Sequence, residues 1–301
     1  MAEDPAGTEQ PELVLGVVGG GTMGAGIAYA AARAGLSVQV VERDPTTRDS
    51  LLSRIEGDLR RDVVRGLIEE EELEATSARV RPLGASEELE GPPDLVIEAV
   101  PEEAELKASV LRGLEGLGVA RLATNTSSIS VSGLGAALEH PERLIGLHFF
   151  NPVRQMALVE IVLGEATAPA LLEFSRAFVL RLGKEPLVVA DAPGFLTSRL
   201  GVLLGLEAIR MHESGVASAE EIDKAMVLGY GHPMGPLRLT DLVGLDVRLG
   251  IAGVLEAAYG ERFRAPALLI EMVREGRLGR KVGRGFYEWP ALPTGGRAEG
   301  A

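Results

Sequence analysis

The first part of the chain alternates between short apolar runs and amphipathic stretches. Residues 13–18 are apolar and are followed at once by glycines, which is typical of a buried parallel strand. An alanine-rich stretch over residues 24–34 predicts a helix that ends at Gly35, and Ser37–Val41 predicts a second strand. A strand, a turn, a helix and a strand therefore fit within about thirty residues, as in one βαβ unit.

The same alternation continues to residue 193. Residues 46–73 are charged and carry Leu52, Ile55, Leu59 and Val63 three or four positions apart, which predicts a helix with a break near Gly66. Such alternation of strands and helices predicts a doubly wound α/β domain. The further strands are predicted at residues 80–82, 95–99, 122–124, 144–149, 158–162 and 186–189, and the helices between them at residues 103–114 and 170–182.

After Pro193 the pattern becomes helical and almost no strand signal remains. We therefore predict three segments: a disordered tail over residues 1–12, an α/β domain over 13–193 and an all-α domain over 194–301. Residues 240–255 are markedly apolar for a surface helix, which fits either the domain core or a subunit interface. The predicted helices of the last segment are 195–214, 219–228, 235–259 and 266–274.

Composition and charge narrow the possible partners. The formal net charge is −14, which disfavours binding to nucleic acid or to an anionic membrane. The chain has no cysteine, and its four histidines lack the spacing of a metal site, so we predict no metal. It shows neither a signal or transit peptide nor 18 uninterrupted apolar residues, so we expect a soluble cytoplasmic protein.

A glycine motif follows the first predicted strand and opens the first predicted helix. Gly19, Gly21 and Gly24 form the run G-x-G-x-x-G, with Thr22 and Met23 inside it. In dinucleotide-binding folds the first glycine permits a tight turn, the second lets the backbone approach a pyrophosphate, and the third lets the helix pack on the strand. We therefore assign all five residues to a cofactor site, although a structural glycine turn has the same pattern.

An acidic residue ends the second predicted strand. Glu42 lies 18 residues after Gly24, where a carboxylate accepts hydrogen bonds from the ribose hydroxyls and repels a 2′-phosphate. This position favours NAD over NADP. The adjacent Arg43 argues the other way, because an arginine there can bind that phosphate.

Two ionisable residues occupy otherwise apolar strands. His148 lies in one and Glu160 in the next, and a buried glutamate is costly unless it is paired. If the two strands are neighbours, Glu160 would fix the imidazole tautomer and stabilise imidazolium while His148 takes a hydroxyl proton. A histidine in an apolar strand is also found as a satisfied core residue, and this alternative stays open.

Six segments spread along nearly the whole chain form a recognisable set: GVVGGGTMGAGIA, NTSSIS, GLHFFNPVRQMALVEIV, DAPGFLTSRL, GYGHPMGPLRLTDLVGLD and GRKVGRGFYEW. In this order they resemble the 3-hydroxyacyl-CoA dehydrogenases, particularly their bacterial 3-hydroxybutyryl-CoA branch. The resemblance implies a Rossmann-type N-terminal domain that binds NAD, a helical C-terminal domain that forms a homodimer, and an active site in the cleft between them. It further implies a (3S)-3-hydroxyacyl-CoA substrate, short in chain, in fatty-acid β-oxidation or related metabolism.

The resemblance also implies roles for individual residues at the reacting centre. His148 corresponds to the family's general base and Glu160 to its carboxylate partner. Ser127 corresponds to the serine that hydrogen-bonds the substrate's 3-oxygen, and Asn151 to an asparagine that lines the same site. Glu42 corresponds to the acidic residue that holds the adenosine ribose.

Four more positions follow from the resemblance. Glu102 and Lys107 fall where the family borders the nicotinamide side. Arg65 lies where the family usually carries a lysine near coenzyme A, although it could equally be a solvated helix residue. Ser198 departs from the family, which commonly has asparagine there, and serine cannot donate and accept through separate groups as an amide does.

Three other functions compete with this interpretation. One is an NAD-dependent dehydrogenase of a free hydroxy or sugar acid, and another is a non-catalytic, crystallin-like NAD-binding protein. A dehydrogenase of the 3-hydroxyisobutyrate type is disfavoured, because its catalytic lysine should fall within PGFLTSRL, which contains none.

Overall fold

The computed structural model describes residues 13–290, so the predicted disordered tail lies outside the described residues. The described residues divide into two compact units, with the boundary between Asp191 and Ala192. None of the helices in the described residues is long and apolar enough to cross a membrane.

One mostly parallel sheet organises the described part of the N-terminal unit. Its eight strands lie in the order β3-β2-β1-β4-β5-β6-β7-β8, and the only antiparallel neighbours within this sheet are β6 and β7. The strands are β1 (Val14–Val18), β2 (Ser37–Val41), β3 (Val80–Leu83), β4 (Leu95–Glu98), β5 (Leu122–Thr124), β6 (Leu144–Phe149), β7 (Leu158–Leu163) and β8 (Glu185–Ala190). The predicted doubly wound, Rossmann-type fold is confirmed.

The helices of this unit connect the parallel strands and bury their apolar faces against the sheet. The first helix buries Ile27, Ala28, Ala31 and Ala32, because small side chains let it lie close to the strands. The helices are α1 (Thr22–Arg33), α2 (Pro45–Asp49), α3 (Leu51–Val64), α4 (Glu70–Ser77), α5 (Ala104–Gly116), α6 (Val131–Gly135) and α7 (Pro169–Arg181).

The strand order places a crevice at the carboxyl ends of β1 and β4. From β1 the chain proceeds to β2 and β3 on one side of the sheet, and it then crosses to β4 on the other side. Connections that leave in opposite directions open a crevice between the two strands, and ligands of open α/β sheets bind there. The glycine motif follows β1 directly and therefore lies at this crevice.

The predicted helix over residues 46–73 is divided into three, and its predicted apolar face is partly wrong. The break near Gly66 is confirmed, since α3 ends at Val64 and α4 begins at Glu70. The fully buried positions of α3 are Leu51, Ile55, Leu59 and Asp62, whereas Leu52 and Val63 are only partly buried. Ile55 and Leu59 are buried as predicted, and the two ends of the buried face lie one residue earlier than predicted, at Leu51 and at the acidic Asp62.

Asp62 is stabilised inside the unit by three neighbours. The Tyr29 hydroxyl donates to Asp62 Oδ2, and Arg154 Nη1 donates to Oδ1 at 2.8 Å. Arg33 Nη1 lies 3.5 Å from Oδ2. Burial raises the pKa of the Tyr29 hydroxyl above its usual range, and its hydrogen bond to Asp62 raises that pKa further. Asp62 thus ties α1 and α3 to the segment between β6 and β7.

The described part of the C-terminal unit is helical, as predicted, but the helix predicted over residues 235–259 is two helices. Gly244 ends the first with φ +103°, a backbone conformation that favours glycine. The helices are α8 (Thr197–Glu213), α9 (Ala219–Tyr230), α10 (Pro236–Val243), α11 (Leu245–Tyr259) and α12 (Ala267–Arg274).

A buried aspartate holds the last described segment against α10. Asp241 is fully buried and accepts hydrogen bonds from Phe286 N and Tyr287 N, each at 2.9 Å, and from Trp289 Nε1 at 2.8 Å. The motif GRKVGRGFYEW is therefore a structural element of this unit.

The apolar segment over residues 240–255 contributes to the core on one side and is exposed on the other. Leu245, Ala252 and Leu255 are fully buried. Val247 and Val254 remain 44% and 42% exposed, respectively.

We expect Asp62→Ala to lower the free energy of unfolding by about 3–5 kcal/mol. The substitution removes the closer carboxylate partner of the buried Arg154 guanidinium, which keeps only Asp58 at 3.6 Å, and it removes the acceptor of the Tyr29 hydroxyl. Urea denaturation followed by circular dichroism measures this change. Glu56→Ala on the same helix is the control. Glu56 is half-buried, pairs with the exposed Arg60 and accepts a long hydrogen bond from Ser77 at 3.4 Å, so its loss should cost no more than about 1 kcal/mol. Equal effects of the two substitutions would contradict the structural role of Asp62.

Candidate active site

The glycine motif forms a tight turn whose backbone is accessible at Gly21. A Cβ at Gly19, whose φ is +104°, would lie 2.6 Å from the carbonyl oxygen of Ala99, and a Cβ at Gly24 would lie 1.7 Å from that of Gly19. At Gly21 a Cβ would meet nothing within 4 Å. The first and third glycines are thus required by packing, while the second leaves the backbone open to a ligand. The following helix N-terminus offers N–H groups to phosphates.

A cavity of about 600 Å³ lies over this turn. Its lining includes Gly19, Gly21, Thr22, Met23 and Glu42 from the predicted cofactor site, together with Arg43. Val100, Pro101, Leu106 and Val110 supply an apolar wall. A cavity with an apolar wall, a glycine turn and a helix N-terminus fits a dinucleotide.

Glu42 is held in a fixed orientation at the edge of this cavity. Its Oε2 accepts a hydrogen bond from Gly20 N at 2.8 Å, and its Oε1 accepts one from Asp44 N at 2.9 Å. The carboxylate is therefore oriented by the backbone on both sides of it, at the position where a ribose is expected.

His148 and Glu160 lie opposite each other on neighbouring antiparallel strands. The register of β6 and β7 pairs these two residues directly. His148 Nδ1 lies 2.7 Å from Glu160 Oε2, and Glu160 is fully buried. The predicted pairing is present. Because Nδ1 faces a carboxylate, the tautomer with the proton on Nδ1 is favoured, and proton exchange with a substrate falls to Nε2.

Asn125 orients the end of the strand that carries His148, and sequence reasoning did not single it out. Its Oδ1 accepts a hydrogen bond from Phe149 N at 2.9 Å, next to His148. The Phe150 ring lies on the other side, with its centroid 4.4 Å from that of the imidazole. Asn125 belongs to the polar motif after β5, but its partner is 24 residues away along the chain.

Ser127 and Glu102 are brought together. Glu102 Oε1 accepts hydrogen bonds from Thr126 Oγ1 at 2.6 Å and from the backbone N–H of Ser127 and Ser128 at 2.9 and 3.0 Å. The Ser127 hydroxyl lies 3.3 Å from the same oxygen. Burial opposes ionisation of Glu102, but these hydrogen bonds and the charge of Lys107 prevail and lower the pKa of Glu102. Glu102 is therefore a carboxylate at neutral pH.

Lys107 is fully buried behind this cluster. Its Nζ lies 2.8 Å from Glu98 Oε1 and 3.3 Å from Glu102 Oε2. Glu98 in turn accepts hydrogen bonds from Thr124 Oγ1 and Val100 N. Neither Glu102 nor Lys107 lines the cavity over the glycine turn. Sequence reasoning missed Glu98, although a glutamate at the end of an apolar strand is the same signal that identified Glu160.

The other predicted residues are not part of these clusters. Asn151 is exposed two residues after β6. Arg65 is exposed at the end of α3 and forms no ion pair with any described residue. Ser198 lies in the C-terminal unit, in the first turn of α8.

Two family models match the chain. The model of the 3-hydroxyacyl-CoA dehydrogenase NAD binding domain matches residues 14–192, and the model of the 3-hydroxyacyl-CoA dehydrogenase C-terminal domain matches residues 194–289. Together they span nearly all of the described residues.

Known proteins of similar sequence and structure carry related names. A 3-hydroxybutyryl-CoA dehydrogenase of Bradyrhizobium diazoefficiens is 41% identical over 91% of this chain and 94% of its own length. A 3-hydroxybutyryl-CoA dehydrogenase of Mycobacterium tuberculosis is 42% identical over 91% of this chain and 98% of its own length. The crystal structure of (S)-3-hydroxybutyryl-CoA dehydrogenase from Ralstonia eutropha superposes with a TM-score of 0.88 at 38% identity, covering 92% of this chain and 99% of that one.

The glycine turn and its cavity, the matched family models and these relatives agree with one another. This chain belongs to the 3-hydroxyacyl-CoA dehydrogenase family and is an NAD-dependent dehydrogenase of that family.

Proposed function

We propose that the substrate is a short-chain (3S)-3-hydroxyacyl-CoA, such as 3-hydroxybutyryl-CoA, which is converted reversibly to the 3-oxoacyl-CoA. The observation that carries this proposal is the buried contact between His148 and Glu160, at 2.7 Å, in the same sheet as the nucleotide crevice. The names of the relatives from Bradyrhizobium and Mycobacterium support the short acyl chain. NAD, when bound, supplies the acceptor for the hydride.

In this mechanism His148 is the general base. It removes the proton of the 3-hydroxyl through Nε2, and Glu160 stabilises the imidazolium that forms. The Ser127 hydroxyl and the Asn151 amide hold the reacting oxygen. For Ser127 this requires its hydroxyl to turn from Glu102, to which the present contact is long at 3.3 Å.

The remaining residues hold the cofactor and the substrate. The glycine turn with Thr22 and Met23 would hold the pyrophosphate, and Glu42 the adenosine ribose. Glu102 and Lys107 would border the nicotinamide, where the buried pair of Lys107 and Glu98 keeps Glu102 in place. Arg65 and Ser198 would contact coenzyme A and the acyl group.

The C-terminal unit would form a homodimer. Exposed apolar side chains on α8 and α11 support this proposal, because large exposed apolar patches mark interaction surfaces. They include Leu200, Leu203, Met211, Val247 and Val254. A cytoplasmic location stays a prediction from the sequence.

The test of the function compares thioesters with free acids. Purified protein should oxidise NADH with acetoacetyl-CoA and reduce NAD with (3S)-3-hydroxybutyryl-CoA, while free acetoacetate and free hydroxy acids should give little turnover. Turnover of the free acids alone would assign a hydroxy-acid dehydrogenase instead. Tight NAD binding without any turnover would favour the non-catalytic alternative.

The substitution His148→Gln should lower kcat by about 10²–10⁴-fold and leave NAD affinity unchanged, because glutamine cannot act as a base near neutral pH. Steady-state kinetics and a fluorescence titration with NADH measure the two quantities. His140→Gln is the matched control, since that ring is 47% exposed and pairs only with Glu142 among the described residues. A folded His148→Gln protein with wild-type kcat would remove His148 from the mechanism.

The substitution Glu160→Gln should act through His148. It keeps the size and hydrogen bonding of the side chain but removes the charge that favours imidazolium, so the acid limb of the pH–rate profile for alcohol oxidation should move to lower pH. The double substitution with His148→Gln should be little worse than His148→Gln alone, because residues that act as a unit are non-additive. Multiplicative losses would give Glu160 an independent role.

The substitution Glu42→Ala should weaken NAD binding and reduce the preference for NAD over NADP, since the same carboxylate contacts the ribose and repels a 2′-phosphate. We expect the ratio of kcat/KM for the two cofactors to fall about 10- to 100-fold, the range of a hydrogen bond to a charged group. An unchanged ratio would assign cofactor choice to Arg43 or another group.

A further inference from the structure

An arginine in the C-terminal unit is buried without a counter-charge. Arg248 on α11 is 5% exposed, and its Nε has no hydrogen-bond partner. No carboxylate among residues 13–290 forms an ion pair with it. Burial lowers the pKa of Arg248 to about 10, so the guanidinium remains charged at neutral pH. A buried guanidinium without a counter-charge is unfavourable, which makes Arg248 a candidate to bind an anionic group from outside this chain.

Two glycines on α8 lie beside this guanidinium. A Cβ at Gly205 would lie 3.5 Å from Arg248 Cζ and Nε, and a Cβ at Gly201 would lie 3.6 Å from Arg248 Nη1. The Thr240 hydroxyl, also beside Gly205, already donates to the carbonyl oxygen of Pro236. Arg248 therefore extends along α8 from Gly205 toward Gly201.

The same face of α8 carries Ser198. Residues three and seven positions apart lie on one face of a helix, so Ser198, Gly201 and Gly205 are aligned. The terminal nitrogen Nη1 is the Arg248 atom nearest Gly201, and thus the atom nearest the Ser198 end of the helix. Ser198 is the residue of this unit that the proposed function assigns to the acyl group.

Acidic residues near Arg248 in sequence or on α8 have other partners. Asp241 accepts from the backbone of the last described segment, as shown above. Asp246 forms an ion pair with Lys281 at 2.6 Å, and Glu207 pairs with Arg210 at 3.3 Å. The protein therefore has a fixed cationic group that its own neighbouring acids do not neutralise.

We propose that Arg248 binds the terminal carboxylate of a dicarboxylic acyl-CoA substrate. The inference rests on the proposed function, because it takes Ser198 as the residue that faces the reacting part of the acyl chain. The planar guanidinium suits a carboxylate, which it can bind through two parallel hydrogen bonds. In a protein of net charge −14, a buried arginine also offsets the general repulsion of an anionic acyl chain.

The distances favour a short dicarboxylic chain. Ser198 and Gly201 are separated by about 4.5 Å of helix rise. In a six-carbon dicarboxylic thioester, three carbon–carbon bonds of about 1.5 Å each separate the reacting C3 from the terminal carboxyl carbon. A chain with C3 near Ser198 thus brings its carboxylate near Arg248 Nη1.

The test uses two thioesters of equal chain length, 3-oxoadipyl-CoA and 3-oxohexanoyl-CoA, which differ only in a terminal carboxylate or methyl group. The measured quantity is the ratio of their kcat/KM values with NADH. The wild-type ratio should exceed about 10, and Arg248→Met should lower it by about 10- to 100-fold, mainly through KM for 3-oxoadipyl-CoA. Arg274→Met, an exposed arginine at the end of α12, is the matched control and should keep the ratio.

A second variant keeps the test valid if Arg248→Met does not fold. Arg248→Lys keeps the charge but loses the two-pronged geometry, so its ratio should fall between those of the wild type and Arg248→Met. Thermal melts followed by circular dichroism establish that each variant is folded. If Arg248→Met does not fold, the inference is tested with Arg248→Lys alone: a lower ratio than that of the wild type supports it, and an unchanged ratio overturns it.

The outcomes separate this inference from the proposed function. If 3-oxohexanoyl-CoA is reduced and the wild type shows no preference for 3-oxoadipyl-CoA, the inference alone is overturned. An unchanged ratio in Arg248→Met, together with a change in the mass measured by light scattering, would assign the partner carboxylate to a second copy of the chain and also overturn it. If neither these thioesters nor acetoacetyl-CoA is reduced, the proposed function fails as well.

Discussion

A carboxylate that is taken out of water must be given a partner, and the fold of this chain is arranged around that requirement. The buried Glu160 lies opposite His148 because β6 and β7 pair in antiparallel register. If Glu160 had no imidazole beside it, burial of its charge would oppose folding of the strand pair. The chemistry proposed for this protein therefore depends on the register of these two strands.

The same requirement connects the cofactor crevice to the polar residues beside it. Glu98 ends β4 at the crevice and is satisfied by Lys107, by Thr124 of the next strand and by the backbone of Val100. Lys107 then reaches Glu102, which binds the backbone after β5. The loops after β4 and β5 are fixed to each other in this way at the carboxyl edge of the sheet.

In the C-terminal unit the buried Asp241 has hydrogen-bond partners, whereas the buried Arg248 has no counter-charge in the part of the chain that the structure describes. Asp241 is buried, but three N–H groups of the last described segment satisfy it. Arg248 is buried to a similar degree and has no such partner among the described residues. Burying an unpaired charge lowers the stability of a protein, and such charges are found where the group binds a ligand. For this reason we assign Arg248 a binding role, whereas the paired charges of the same protein stabilise the fold.

The sequence by itself determined those features whose cause is local. The spacing of Gly19, Gly21 and Gly24 after an apolar run predicted the nucleotide turn, and short apolar runs predicted all eight strands of the sheet, because both signals depend on neighbouring residues. The pair of His148 and Glu160 was also accessible, since polar residues in apolar strands need partners and the two strands are consecutive.

Only the tertiary structure decided the features whose cause is distant in sequence. The inward turn of Asp62 depends on Tyr29 and Arg154, which lie 33 and 92 residues away along the chain. In the sequence, Asp62 looks like any solvent-exposed aspartate on a charged helix. Its burial becomes evident only when the positions of Tyr29 and Arg154 in the fold are known. Asn125 and Arg248 follow the same logic, because a hydrogen bond to a distant strand, or the lack of any counter-charge, is a property of the packed chain. Local periodicity reports which face of an element is apolar, and only packing determines what that face meets.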